Sequence, residues 1–318
     1  MPGPSWLAFT VLFILLGSLA HVGFWAAGVQ PLGSFSIDIF LNQLWIVAVL
    51  FFHDFLDRDA KRALNESRPL MNASDEQFTR DLYAFTNLPA KPVLLLTLIG
   101  VPIALYIHPG ISLELPLRVT TPWSLVLVGV ISMSLALVFS YRIIRQVLTI
   151  SQFYSRASAI DLYDLEPVYA LSSHAARTGL TLLLAVYANI VISPEALEFS
   201  PLLILVILLT LLASAAFLLP LRGINRRLVE EKRKLLQLTQ RRIKKAFEQI
   251  EDSFDATDLG AISTLHSAVS ALQNQKAFIE NIPTWPWQAS TLRGFISFLL
   301  LPIFIWAAQQ ILSRLFDL

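Results

Sequence analysis

Seven long apolar segments constrain the fold of this chain more than any other feature. A helix that crosses the hydrocarbon core of a bilayer needs roughly 20 mostly apolar residues. The segments that reach or approach this length are residues 6–28, 37–56, 93–107, 123–141, 179–192, 202–219 and 295–312. We number them spans one to seven. They predict an all-α, polytopic membrane protein that sits in the lipid bilayer.

The composition favours a membrane protein and argues against several other classes. Hydrophobic residues make up 55% of the 318 residues and charged residues only 15%, and the mean hydropathy is +0.61. Soluble domains carry about a quarter charged residues. The net charge of +1 and the lack of Cys argue against a nucleic-acid partner, a disulfide-stapled scaffold and a Cys-ligated metal site.

The distribution of positive charge predicts the orientation of the chain. Lys and Arg are retained on the cytoplasmic side of membrane proteins. With seven spans, 22 of the 24 Lys and Arg residues fall on connections of one side, and only Arg118 and Arg314 fall on the other. We therefore predict a multi-pass protein of the cell membrane with its N-terminus in the cytoplasm and its C-terminus outside.

This orientation divides the chain into three regions. Residues 1–220 form a transmembrane region of six spans with cytoplasmic loops at 57–91 and 142–177. Residues 221–288 form a coiled-coil-like cytoplasmic helical hairpin, and residues 289–318 form span seven and a short outer tail.

Local signals predict helices within the two cytoplasmic loops. Ser74 followed by Gln77 is a capping-box pattern, which predicts a short helix from this point. Helical periodicity continues from span four to about Tyr154. Pro167 fits the first turn of a helix that leads into span five.

The largest connection, 221–288, carries two apolar stripes separated by a short polar turn. Apolar residues recur at helical spacing from Ile224 to Phe254 and again from Leu259 to Ile282. Two amphipathic helices joined by a short turn form an antiparallel pair. Because each arm presents one stripe, we expect the hairpin to need further contacts to complete its core.

Two interpretations of this hairpin stay open. In the first, the hairpin binds a cytoplasmic protein or another protomer through the stripe Leu228, Leu235, Leu238, Leu265 and Leu272. In the second, it is a connector that packs on the cytoplasmic loops of its own chain. The Lys and Arg residues within 222–245 suit anionic lipid, but interleaved Glu230 and Glu231 favour the positive-inside rule alone.

Two indoles flank a proline where the hairpin returns to the membrane. Trp285 and Trp287 fall at the predicted cytoplasmic interface, where amphipathic rings are enriched. We expect them to anchor the return segment, and an aromatic cage for a cation is the alternative.

Polar residues within the spans suggest a ligand or ion pocket. His21, Asp38, Asn42 and Asn189 lie in spans one, two and five, and ionisable residues within spans are functional candidates by default. Together they would bind a cation or proton near the outer side. The alternative is ordinary hydrogen bonding between helices.

A second polar group, His53, Asp54, Asp57 and His174, suits a divalent metal by ligand type. Its alternative is a set of interfacial salt bridges. The chain contains no HExxH motif, P-loop, dinucleotide fingerprint or GxSxG elbow. We therefore expect no cofactor, and we lean against an enzyme.

The leading functional hypothesis is a non-enzymatic protein that binds a partner or relays a signal through its cytoplasmic hairpin. The alternative is a transporter or channel for a small ion or solute that uses the polar residues of spans one, two and five. An intramembrane enzyme built on the His53 group ranks last.

Overall fold

The computed structural model describes residues 5–71, 73–107, 123–157, 160–192, 200–255, 259–285 and 292–300, and its regular elements within these ranges are all helical. The helices are α1 (Ser5–Ala26), α2 (Ile37–Asn42), α3 (Leu44–Glu66), α4 (Asp75–Thr86), α5 (Ala90–Ile107), α6 (Trp123–Arg156), α7 (Glu166–Ile192), α8 (Ser200–Asp255) and α9 (Leu259–Asn281). A short 3-10 helix covers Arg68–Leu70, and residues 292–300 are also helical; we label them α10. The all-α fold class is confirmed.

Several of these helices are long and apolar enough to cross a membrane. Within the described ranges, five segments meet both conditions: Trp6–Ala26, Ile37–Glu66, Asp75–Tyr106, Val126–Arg156 and Leu203–Asp252. Helix α7, which contains the predicted span five, is not among them. Most of the predicted span seven, 295–312, lies outside the described residues. The chain is a helical protein suited to a membrane, and the number seven stays a prediction.

Large apolar side chains are exposed along the outside of this bundle. Leu15 on α1, Leu98 on α5 and Leu211 on α8 are each more than half exposed. Contiguous exposed apolar surface of this kind marks a contact with lipid or with another protein. These faces are therefore suited to lipid, and the packed interior of the bundle lies behind them.

The interior divides into two apolar clusters. The first, which we call the bundle core, joins α3, α6, α7, α8 and α10 through residues that include Val49, Leu56, Phe139, Ile143, Leu183, Phe217 and Phe295. The second, the junction core, joins α3, α4, α6, α7, α8 and α9 through residues that include Leu64, Phe78, Phe85, Ile150, Tyr154, Leu171, Leu228 and Ile279. The junction core lies where α8 leaves the bundle and meets α9.

The local predictions for the two loops are confirmed. The Ser74 hydroxyl accepts the backbone N–H of Gln77 at 3.3 Å and caps α4, whose Phe78 is buried in the junction core. Helix α6 extends to Arg156, and Pro167 lies in the first turn of α7. Both loops are therefore largely helical and build the junction core.

Helix α8 runs through Pro220 without a break. It joins the predicted span six to the first arm of the hairpin in one helix of 56 residues, roughly 80 Å long at the usual rise of about 1.5 Å per residue. Proline removes one backbone donor from a helix. Neighbouring Leu221, which is fully buried in the junction core, stabilises the helix at this point.

Small residues let two pairs of helices approach closely. A Cβ atom on Gly100 of α5 would lie 2.8 Å from Ser134 Cα of α6, and one on Gly179 of α7 would lie 2.9 Å from the Ala213 carbonyl oxygen of α8. Real Cβ atoms do not approach backbone atoms this closely. Glycine at these positions permits the close packing that is typical of membrane helices.

We expect the substitution Gly100→Ala to lower the free energy of unfolding by about 1–3 kcal/mol, the usual cost of overpacking. Gly223→Ala is the matched control, because a Cβ atom there meets nothing within 4 Å. That control should be neutral or stabilising by about 0.5–1 kcal/mol, since alanine favours the helix. Denaturant titration of both variants in micelles measures the difference, and equal stabilities would contradict the close approach.

Candidate functional site at the helical hairpin

The two arms of the hairpin, α8 and α9, are held together at their base by polar side chains. Lys232 Nζ donates to the carbonyl oxygens of Glu280 and Ile282, each at 2.7 Å. Asn225 Nδ2 donates to the carbonyl oxygen of Thr284 at 2.9 Å. The last carbonyls of a helix have no partner within the helix. A lysine from α8 therefore caps the end of α9 and fixes the register of the antiparallel pair.

A second cation fixes the hairpin to the bundle. Arg227 on α8 donates to the carbonyl oxygen of Ala157 at 2.6 Å and to that of Ser155. Both carbonyls lie at the C-terminal end of α6, where the helix dipole favours a positive charge. Ile224 and Leu228, on the adjacent face of α8, are fully buried in the junction core.

We expect Arg227→Ala to loosen the attachment of the hairpin to α6. Hydrogen bonds that involve a charged group contribute about 1.5–3 kcal/mol each when their partner stays buried, so the loss should exceed about 1.5 kcal/mol of unfolding free energy. The rate of amide hydrogen exchange at the end of α6 should also be higher in this variant. The neighbouring Arg226→Ala is the control, because Arg226 is 85% exposed and pairs only with exposed Glu230. Equal exchange in both variants would contradict the attachment.

The five residues of the predicted partner-binding stripe differ in burial. Leu228 is fully buried in the junction core and Leu235 packs against it, so neither side chain is free to meet a partner. Leu265 and Leu272 are half-buried on α9. Leu238 alone among the five is exposed, at 49%. At the base of the hairpin the stripe packs into the protein's own junction core, because the ends of α6 and α7 extend far enough to cover this part of α8.

The outer half of the hairpin keeps a thin seam of buried residues. Thr239 and Ala246 on α8 and Val269 on α9 are buried. Leu238 and Phe247 lie outside this seam, and each is about half exposed. Among the described side chains, the distal hairpin is therefore held by small residues, and Leu238 and Phe247 are the large apolar ones in contact with solvent.

The predicted interface anchors are described only in part. Trp285 is 52% exposed at the end of the return from α9. Trp287 lies outside the described residues. Their role at a membrane interface stays a prediction.

Below the hairpin, a buried arginine joins α6 to α3. Arg142 is 4% exposed, and its guanidinium donates to His53 Nδ1 at 3.0 Å and to the Asp57 carboxylate. Because a guanidinium can only donate, the Nδ1 atom of His53 acts as the acceptor. The His53 ring also meets the ring of Phe139 edge-on, with centroids 5.0 Å apart.

A second buried group joins α3 to α7. The Asp59 carboxylate accepts from His174 Nδ1 at 2.7 Å through one oxygen and from Arg177 through the other. His174 is fully buried and Asp59 is 8% exposed. We name the two groups together the charge network: His53, Asp57, Asp59, Arg142, His174 and Arg177.

Sequence reasoning missed Asp59, which is the centre of the second group. A signal was present, because Asp59 lies three residues after Leu56 and four before Ala63, both of which are buried. That spacing places it on the apolar face of α3. Gln146 was also missed; it is 2% exposed, and neither atom of its amide has a hydrogen-bond partner among the described residues.

The structure does not bring the predicted metal ligands together. His53 and Asp57 contact Arg142, Asp54 pairs with Arg58 at 2.7 Å, and His174 contacts Asp59. Within the ranges that the structure describes, no three His, Asp or Glu side chains form a group that could hold a metal ion. Asp54 and Asp57 pair with arginines instead, His53 accepts a hydrogen bond from Arg142, and His174 donates to Asp59.

The predicted outer pocket is not assembled either. His21 is buried, its Nδ1 atom lies 2.8 Å from the Gly17 carbonyl oxygen, and its Nε2 atom accepts the N–H of Ser36 at 3.0 Å. Both ring nitrogens are therefore engaged, and the contact with Ser36 holds the connection after α1. Asp38 is exposed and Asn42 is half-buried. The side chain of the fourth pocket residue, Asn189, lies outside the described ones.

A shallow cleft opens beside the charge network, between α3 and α7. It has a volume of about 290 Å³, and Arg62, Glu66, Tyr169, Ser173 and Arg177 are among the residues that line it. Burial raises the pKa of the Tyr169 phenol above its ordinary value, so this hydroxyl is neutral at physiological pH. The cleft carries both signs of charge and indicates no particular ligand.

These residues connect helices to one another. The charge network links α3, α6 and α7, and the junction core links them to α8 and α9. The sequence matches no family model, no curated protein and no solved structure at a significant level. The function must therefore be inferred from the geometry.

Proposed function

We propose that this protein is a seven-span membrane protein that binds a cytoplasmic partner, or a second protomer, through the distal part of its α8–α9 hairpin and couples that contact to its membrane bundle. The proposal retains the predicted orientation, with the N-terminus in the cytoplasm and the C-terminus outside. The alternation of positive charge between successive connections supports this topology.

The observation that carries the proposal is the continuity of α8. One helix extends from the apolar segment that begins near Leu203 to the tip of the hairpin at Asp255. Its middle part is buried in the junction core, and its distal part presents Leu238 and Phe247. A rigid element that connects an exposed surface to a membrane bundle is suited to relay displacement between them.

The charge network supports the second half of the proposal. Rigid coupling requires that the helices at the base do not slide independently. Arg142 ties α6 to α3, and Asp59 ties α3 to α7. Arg227 then ties α8 to the end of α6. A force on the hairpin is therefore transmitted to four helices of the bundle.

Site-specific photocrosslinking in living cells tests the partner contact. A photoreactive amino acid is placed at Leu238 or at Phe247, and in the control at Tyr83, which is 69% exposed on α4. We expect adducts from the two hairpin positions and none from α4. An adduct with the same chain would identify a second protomer as the partner. If neither hairpin position gives an adduct, the proposed function is wrong.

A shortened hairpin provides the complementary test. Deleting residues 225–282 would remove Leu228 and Ile279, which are core residues. Deleting residues 237–274 and joining the arms with a Gly-Ser turn removes both Leu238 and Phe247 and spares the junction core. This variant should stay folded and lose the crosslinked partner, whereas its retention of the partner would contradict a role for the distal hairpin.

The predicted topology needs its own measurement. Protease shaving of intact cells should leave the tip near Asp255 protected, because the proposal places it in the cytoplasm. Cleavage at the tip from outside would invert the topology and remove the basis for a cytoplasmic partner.

A further inference from the structure

The middle of α8 carries an unusual run of positive charge. Between Lys232 and Phe247 there are seven Lys and Arg residues and no Asp or Glu. The opposing arm does not compensate, because residues 259–279 of α9 also contain no Asp or Glu. A solvated helix face normally mixes both signs, and like charges one turn apart are destabilising. The run therefore needs an explanation beyond solubility.

Four of these cations surround Leu238. Lys234 lies four residues before it, and Arg241 and Arg242 lie three and four residues after it, which are neighbouring positions on a helix surface. Lys245 lies one turn beyond Arg241 on the same face. All four cations are exposed, and Leu238 is itself 49% exposed. We call these five residues the cationic patch.

The cationic patch is largely unneutralised. Lys234 pairs with Glu231 at 2.7 Å. For Arg241, Arg242 and Lys245, the described part of the chain supplies no carboxylate within ion-pair distance. Contact with an acidic surface would relieve the repulsion between these cations that exists in the isolated protein.

The membrane does not explain the patch, because the positive-inside rule acts within about 15–20 residues of a span and Arg241 lies 22 residues beyond Leu219. Leu238 lies 19 residues beyond Leu219 in the same helix, which corresponds to roughly 28 Å along its axis. Electrostatic attraction to lipid falls off over about 8 Å at physiological salt. Arg227 also holds the helix along the extended end of α6, away from the apolar spans.

A second copy of the chain does not suit the patch either. Two copies in one membrane are related by an axis along the membrane normal, so residues at similar heights along the hairpin meet. At the height of the patch neither arm offers a carboxylate, because residues 232–247 and 259–279 contain no Asp or Glu. Charge complementarity points to a different protein.

On the basis of the proposed function, we infer that the cationic patch binds an acidic, amphipathic helical segment of another protein. An apolar side chain of that segment contacts Leu238, and Asp or Glu residues three and four positions away meet Lys234, Arg241, Arg242 and Lys245. Apolar anchors in a helix that docks on a helix face occur at these spacings. The central apolar contact gives affinity, and the surrounding charges give specificity.

Binding to the purified full-length protein in detergent tests the inference. The probe is a fluorescent helical peptide with Leu on one face and Glu three and four residues on either side, and the same peptide with Gln for Glu is its control. We expect the Gln peptide to bind about tenfold more weakly, and we expect rising salt to weaken only the Glu peptide. Competition with duplex DNA and with phosphatidylserine vesicles tests other polyanions.

Charge reversal assigns the binding to the patch. The combination Arg241→Glu, Arg242→Glu and Lys245→Glu should weaken the Glu peptide by about tenfold or more. The combination Arg222→Glu, Arg226→Glu and Lys276→Glu makes the same change in charge outside the patch and should leave binding unchanged. Equal thermal unfolding of the two combinations in detergent verifies that both are folded.

Several outcomes would overturn the inference. They are equal binding of the Glu and Gln peptides, equal effects of the two reversal combinations, and preferential binding of DNA or vesicles. If crosslinking at Leu238 still traps a protein in cells, the proposed function stands and only the acidic character of the partner is wrong. If crosslinking also fails, both are wrong.

Discussion

Replacing Asp59 with alanine is expected to lower the free energy of unfolding by about 3–5 kcal/mol, the usual cost of removing one partner of a buried ion pair. Asp59 is the acceptor for both His174 and Arg177. His174 is fully buried, so its Nδ1 donor would have no water to replace the carboxylate. Denaturant titration in micelles measures the loss.

Two variants make this prediction specific. Asp59→Asn keeps an oxygen that accepts from one of the two donors, so it should recover part of the loss. Asp75→Ala removes an exposed carboxylate that pairs with Arg68, and surface pairs of this kind contribute about 0–1 kcal/mol. If Asp59→Ala and Asp75→Ala have similar stabilities, Asp59 does not join α3 to α7 as the structure indicates.

Leu228→Ala is expected to lower the free energy of unfolding by about 2–5 kcal/mol, because it removes buried methyl groups and leaves a cavity. Leu228 is fully buried in the junction core, where α8 meets α6 and α7. The loss should extend to the attachment of the hairpin, so hydrogen exchange along α9 should rise as well. Titration and exchange in the same micelles measure both effects.

Leu238→Ala is the matched substitution ten residues further along α8. Since Leu238 is half exposed, we expect a cost below about 1 kcal/mol in stability. Its effect should appear in binding, as a loss of about fivefold or more in affinity for the acidic peptide. Strong destabilisation by Leu238→Ala, or none by Leu228→Ala, would contradict the division of the stripe into buried and exposed parts.

Much of the local structure was predictable because it depends on neighbouring residues. The Ser74 cap, the extension of α6 beyond span four and the start of α7 near Pro167 all follow from spacing along the chain. The two arms of the hairpin follow from the apolar period of their residues in the same way.

The sites were less predictable because they depend on which helices meet. The sequence placed His53, Asp54, Asp57 and His174 in one group, but in the structure they divide among three partners. His53 and Asp57 contact Arg142, Asp54 pairs with Arg58, and His174 contacts Asp59. Spacing identifies residues on one helix face and says nothing of the arginine on another helix that faces them. Asp59 was overlooked for this reason, although it lies on the buried face of α3.

The amino-acid sequence by itself determined that this chain is helical and apolar enough for a membrane. It also determined that the hairpin arms end near Asp255 and Leu259, because hydrophobic length and period act locally. Only the tertiary structure decided which apolar residues of the hairpin are used within the protein. Leu228 and Leu238 belong to one stripe, but the ends of α6 and α7 cover the first and do not reach the second. Burial depends on what lies opposite a residue, and that is a property of the whole fold.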